Sequence, residues 1–120
     1  MPETTLSRYY RAVDEDRIDD ALAMMAPDVR FAMVLPSGAK RGQGRSDMGA
    51  YLGGRGVSDR AHVVLRQSRE DDVEFVYGKV TEGETTTGRF LSGVRLGSDG
   101  LIASYQVTFD TEHVLVEDDS

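Results

Sequence analysis

The sequence predicts an α+β domain whose helices gather on one face of a curved, mostly antiparallel sheet. Three observations carry this. Apolar residues recur at helical spacing up to about residue 25, and from Asp28 the period changes to two. The second half then reads as four strands joined by short turns rich in Gly and Asp. Helices first and a meander after them give that architecture rather than a parallel α/β sheet.

In the first helix, Pro2 and Glu3 suit the first turn, and Leu6, Tyr9, Tyr10 and Val13 form one apolar stripe. A second helix is expected from an Asp16 N-cap through Ile18, Leu22 and Met25, stopping at Ala26 because Pro27 disfavours helical geometry there. The first strand follows, with Val29, Phe31, Met33 and Leu35 inward and Arg30, Ala32 and Val34 outward. Pro36-Ser37-Gly38 and Gly42-Gln43-Gly44 read as turns. A third helix is expected over Ser46 to Leu52, ended by Gly53-Gly54-Arg55-Gly56. Four strands are expected at Arg60 to Arg69, Val73 to Thr81, Thr85 to Leu96 and Leu101 to Phe109. The acidic tail Glu117-Asp118-Asp119-Ser120 is expected to fray. All 120 residues belong to one domain.

Composition excludes several function classes. A net charge of −7, with 14 scattered Lys and Arg, is wrong for capturing a phosphate backbone, so no nucleic acid is expected. No run approaches the roughly 20 apolar residues of a membrane span, and the start lacks a signal layout. Zero Cys fits a cytoplasmic protein. His62 and His113 are isolated and no His-Glu-x-x-His occurs, so no metal is expected. Asp47 stands where a dinucleotide fingerprint would need its third Gly, and Leu91-Ser92-Gly93 lacks a nucleophile elbow. No cofactor is expected.

The run from Ala12 through Asp16-Arg17-Ile18-Asp19-Asp20 to Phe31, Met48 four residues after Gly44, and Gly93-Val94-Arg95-Leu96 before Ser98-Asp99-Gly100 together carry a resemblance. On these residues the chain resembles SnoaL-like and ketosteroid-isomerase-like proteins of the nuclear-transport-factor-two superfamily. The resemblance implies a cone-shaped barrel with one apolar pocket, three N-terminal helices on a strongly curved sheet, and a homodimer through the outer sheet face. Val64, Val76 and Val80 are expected to supply contacts there. It implies a small apolar molecule in the cone. Ketosteroid isomerases pair a first-helix Tyr, matched here by Tyr9 or, if the helix is turned slightly, Tyr10, with two strand carboxyls. Those carboxyl positions fall on Met33 and Ser92, which argues against the steroid-isomerase mechanism. A pocket acid of the polyketide-cyclase kind has no inward match on the late strands, where Glu74 and Asp110 alternate outward.

The candidate catalytic pair is therefore Tyr9, as hydrogen-bond donor to a carbonyl, and His62. Related sequences carry a His at this strand start, and an imidazole with an ordinary pKa near 6.5 serves as acid or base near neutrality. The plainer readings are a core tyrosine and a strand-end histidine held by a loop. Phe31, Met33, Leu52, Phe75, Tyr77, Ser92 and Tyr105 are expected to line the pocket. Lys79, on the Phe75 face, either enters the pocket or reaches solvent. Met24, Met25, Met33 and Met48 fill the core or line an adaptable cavity. Asp14, Glu15, Asp16, Asp19 and Asp20 read as caps and a solvated helix face. The expected function is isomerisation, cyclisation or elimination on an apolar carbonyl compound, or else ligand binding without catalysis.

Overall fold

A computed structural model describes residues 3–53 and 60–117. Pro2, Gly54, Arg55, Gly56 and the last three acidic-tail residues, to which the sequence assigned helix-start, helix-end and tail roles, lie outside the described residues. The elements run α1 (Thr5–Asp14), α2 (Ile18–Ala23), β1 (Met25–Leu35), β2 (Gly38–Gln43), α3 (Gly44–Gly53), β3 (Arg60–Glu70), β4 (Val73–Glu82), β5 (Thr85–Leu96) and β6 (Ile102–Asp110). The six strands form one open, curved sheet in the order β2-β1-β6-β5-β4-β3, and only β1 and β6 are parallel. The three helices cover its concave side, which makes the α+β cone.

Helix α1 begins at the N-cap Thr4, whose hydroxyl accepts the Ser7 N–H at 3.1 Å. Its apolar stripe of Leu6, Tyr9, Tyr10 and Val13 is buried as the spacing predicts. Two buried polar contacts tie its first turn to the sheet. Gln67 Oε1 accepts from the Thr4 N–H and the Thr4 and Ser7 hydroxyls, and Glu74 Oε1 accepts the Leu6 N–H at 3.0 Å. Glu74 is 1% exposed, so the expectation that it points outward is wrong: the carboxylate caps a helix start inside the fold.

Helix α2 is shorter than expected. Its N-cap is Arg17, while Asp16 takes a positive φ of 60° in the turn before it. It ends at Ala23 because β6 captures the chain: Ile102 N–H donates to the Met24 carbonyl at 2.9 Å, and Met25 pairs with Ile102. Strand pairing overrides the helical spacing of Met25. Gly38 and Gly42-Gln43, read from the sequence as turn residues, are the two ends of strand β2. As an edge strand, β2 is mostly exposed and shows no alternation. Gly42 is required there, since a Cβ would collide with the Phe31 ring.

Strands β3 to β6 lie where the sequence predicts them, within about a residue at each end. Inward on β5 and β6 are Phe90, Ser92, Val94, Tyr105 and Val107. On β4 the expected faces are reversed. Val76 and Val80 are 0% and 5% exposed and face the helices, and Gly78 leaves room for Phe90. Phe75 is 46% exposed on the outer face, which it shares with Tyr77 and Lys79. Both faces of β4 carry apolar residues, so alternation alone could not choose between them. Val64, Val76 and Val80 are consequently core-side residues and not a dimer surface.

Candidate functional site

The concave side of the sheet and the helices enclose a cavity of about 390 Å³. This lies within the ordinary range for small-molecule sites. Its walls are mainly apolar, with Met33, Leu52, Val80, Phe90 and Val107 among them. Polar groups enter at two places.

The first lies where α1 meets the start of β3. Residues four apart on a helix share a face, so Tyr10 brings Asp14 with it. The Asp14 carboxylate grips His62 twice: Oδ2 accepts the His62 backbone N–H at 2.6 Å, and Oδ1 lies 2.7 Å from ring Nδ1. An ionised carboxylate only accepts, so Nδ1 carries a proton, and in the neutral imidazole Nε2 keeps a lone pair. The imidazole lines the cavity and stacks on the Tyr10 ring, with centroids 4.4 Å apart and planes 16° apart. Phe90 meets it edge-on at 5.2 Å. Both ring orientation and tautomer are thus set by neighbours.

Beside this dyad, the Tyr10 and Tyr105 hydroxyls share a 2.7 Å hydrogen bond. Burial pushes the Tyr10 phenol well above its usual pKa, with the Ser92 and Tyr105 hydroxyls pulling weakly the other way. Burial raises Tyr105 as well, reinforced by Tyr10 and Tyr9. Both therefore stay protonated at neutral pH; one phenol donates to the other, which leaves one O–H of the pair to donate toward a ligand oxygen. The second polar place is the mouth, where Arg60 and Glu82 face each other at 3.8 Å.

Of the residues expected in the pocket, Tyr9, Met33, Leu52, His62 and Tyr105 line the cavity. The Tyr9 hydroxyl points to the Met48 sulfur at 3.8 Å, whereas Tyr10 holds the position next to His62. Phe31 is buried in the core against Gly42. Ser92 lies beneath the wall and donates to the Val76 carbonyl at 3.3 Å. Phe75 and Tyr77 lie outside the cone, and the Tyr77 hydroxyl accepts the Leu115 N–H at 2.8 Å. Met25 and Met48 are fully buried core. Asp14 is the residue that sequence reasoning missed, having been absorbed into an acidic run. The signal was its place one turn after Tyr10 on the buried stripe. Among the described residues no group of three or more His, Asp or Glu could hold a metal ion, and no helix is long and apolar enough to cross a membrane.

A family model described as the SnoaL-like domain matches residues 6–105. The chain belongs to the SnoaL-like family. The cone and its helices also superpose on solved structures of this kind. A Mycobacterium tuberculosis LEH-like epoxide hydrolase matches with a TM-score of 0.73 and 17% identity, covering 91% of this chain and 86% of that one. A Kribbella flavida protein provisionally described as a ketosteroid isomerase matches with a TM-score of 0.69 and 22% identity, covering 97% and 87%. SalBIII, an epoxide hydrolase/cyclase-like enzyme of pyran ring formation in the polyether salinomycin, matches with a TM-score of 0.70 and 16% identity, covering 88% of both chains. At such identities the likeness shows the fold alone. No curated protein matches the chain in sequence. In this SnoaL-like cone a carboxylate from the end of α1 holds a strand histidine.

Proposed function

We propose that this SnoaL-like cone is an acid–base site for an apolar, carbonyl-bearing small molecule, acting by isomerisation, cyclisation or elimination in the cytoplasm. The observation that carries the reading is His62, held by Asp14, set beside the Tyr10–Tyr105 hydroxyl pair on one cavity wall. A carbonyl oxygen placed at the phenol pair would receive its one free O–H, in a hydrogen bond that strengthens as enolate charge develops. His62 Nε2 would take the proton from the adjacent carbon, and Asp14 would stabilise the imidazolium formed. Return of that proton to another carbon completes an isomerisation. Loss of a β-substituent, which takes the imidazolium proton as it leaves, completes an elimination, and attack of the enolate carbon on a second carbonyl, whose new alkoxide takes that proton, completes a cyclisation. Tyr10 takes the donor role for which the sequence offered Tyr9 first. Neither a metal nor a nucleotide enters these steps.

The test is deuterium incorporation from heavy water into a panel of cyclic ketones and enones, followed by NMR. Exchange catalysed by the wild type and lost in His62→Gln supports the reading. Exchange that survives the substitution removes His62 from the mechanism. The second reading, a ligand-binding domain without catalysis, is favoured by Met33 and Ser92 at the positions where ketosteroid isomerases carry carboxyls; tight binding without exchange would select it. A homodimer through the outer sheet face belongs to the same proposal, now centred on Phe75 and Leu91, which are 46% and 50% exposed. Sedimentation of Leu91→Glu against wild type tests it.

A further inference from the structure

His62, held by Asp14, and the Arg60–Glu82 pair sit at different places along the cavity, and their placement describes a ligand. His62 and Arg60 are two residues apart at the start of β3, so their side chains leave the same face of the strand, about 7 Å from each other. Both line the cavity, His62 on the inner wall and Arg60 at the mouth. Arg60 faces Glu82, its cross-strand partner, at 3.8 Å, beyond hydrogen-bond length. The two side chains are 37% and 45% exposed, so this one contact is weak and Glu82 can turn to solvent. A guanidinium presents five donors in a planar fork suited to a carboxylate. The net charge of −7 repels anions in general, which makes a cation at the cavity mouth a local exception.

From this arrangement we propose that the ligand is an apolar keto acid held by both ends. Its carbonyl rests on the Tyr10 and Tyr105 hydroxyls. Its carboxylate displaces Glu82 and binds Arg60. The inference rests on the proposed acid–base reading for the orientation of the carbonyl, while the anion subsite is tested without turnover.

The experiment is calorimetric binding of three matched probes to the full chain. They are a cyclohexanone bearing a propanoate arm opposite the ketone, its methyl ester, and the analogue ending in an amine. The acid is expected to bind about tenfold or more tighter than the ester. Arg60→Gln should erase that gap by weakening the acid alone, and Glu82→Gln should widen it. Unchanged ester binding to Arg60→Gln shows that the cavity remains intact. Equal binding of acid and ester, tighter binding of the amine, loss of the ester in Arg60→Gln, or no binding of any probe overturns the proposal. Loss of deuterium exchange with the acid preference retained would sink the catalytic reading and leave the anion subsite standing.

Discussion

On the inner wall of the cone, Asp14 and His62 meet at 2.7 Å with side chains 15% and 13% exposed. At the mouth, Arg60 and Glu82 stand 3.8 Å apart, and each is more than a third exposed. Both are acid–base pairs that link neighbouring structure. Their burial makes them different devices. Water screens the mouth pair and competes for its hydrogen bonds, so it can exchange partners at little cost. The inner pair is held by two short hydrogen bonds, a stacked Tyr10 and an edge-on Phe90, so it can impose a tautomer. The inner wall is built to orient and the mouth to recognise.

The largest effects should therefore come from the inner wall. His62→Gln is expected to lower deuterium exchange by about 10²–10⁴-fold, the usual worth of a positioned proton-transfer group. Asp14→Asn should lower it by a similar order, because the amide can donate to Nδ1 and move the imidazole proton to Nε2. A near-normal rate in Asp14→Asn would show that the dyad does not set the tautomer. Phe90→Ala, which empties the centre of the packing around Tyr10 and His62, should cost about 3–5 kcal/mol in urea unfolding. A loss below about 1 kcal/mol would mean that the wall collapses to fill the space.

The same contrast explains what could be read from sequence. On β1, β5 and β6 the larger apolar and aromatic residues gather on one face, with Val34 and Leu91 as the outward exceptions, so inward Phe31, Met33, Phe90, Val94, Tyr105 and Val107 were all legible. On β4 the pattern Val73-Glu74-Phe75-Val76-Tyr77 offers apolar residues on both faces. The charge of Glu74 also marked the wrong face, because its partner is the N-terminus of α1, a tertiary contact with no local signal. Strand β2 went unseen because its hydrogen bonds, and not its exposed side chains, hold it on β1. At the site, His62 was legible as a titratable group at a strand start. Asp14 was not, since five acids within seven residues look like a solvated face and only the crossing of α1 over β3 selects one of them.

A smaller effect belongs to the two phenols. Their folded pKa values lie above the ordinary value of about 10, so the native chain keeps protons that the unfolded chain releases. Their stabilising contribution is fully present below about pH 10 and is lost as the pH rises toward the folded values. The urea midpoint of wild type should therefore fall between about pH 8 and about pH 11, and the double variant Tyr10→Phe/Tyr105→Phe should fall less. An identical fall in both proteins would place the alkaline sensitivity elsewhere.

The smallest effect is expected at the mouth, and its smallness is the point of the comparison. Removing the acidic partner of this half-exposed ion pair should change the unfolding free energy by no more than about 0.5 kcal/mol in Glu82→Gln. Raising the salt concentration should shrink even that difference, because the charges are within reach of counterions. The Asp14–His62 pair should respond far less to salt, being mostly shielded from solvent. A stability loss above about 2 kcal/mol in Glu82→Gln would mean that the mouth pair is part of the scaffold. It would then be unable to open for a ligand carboxylate, and the division between an orienting wall and a recognising mouth would fail.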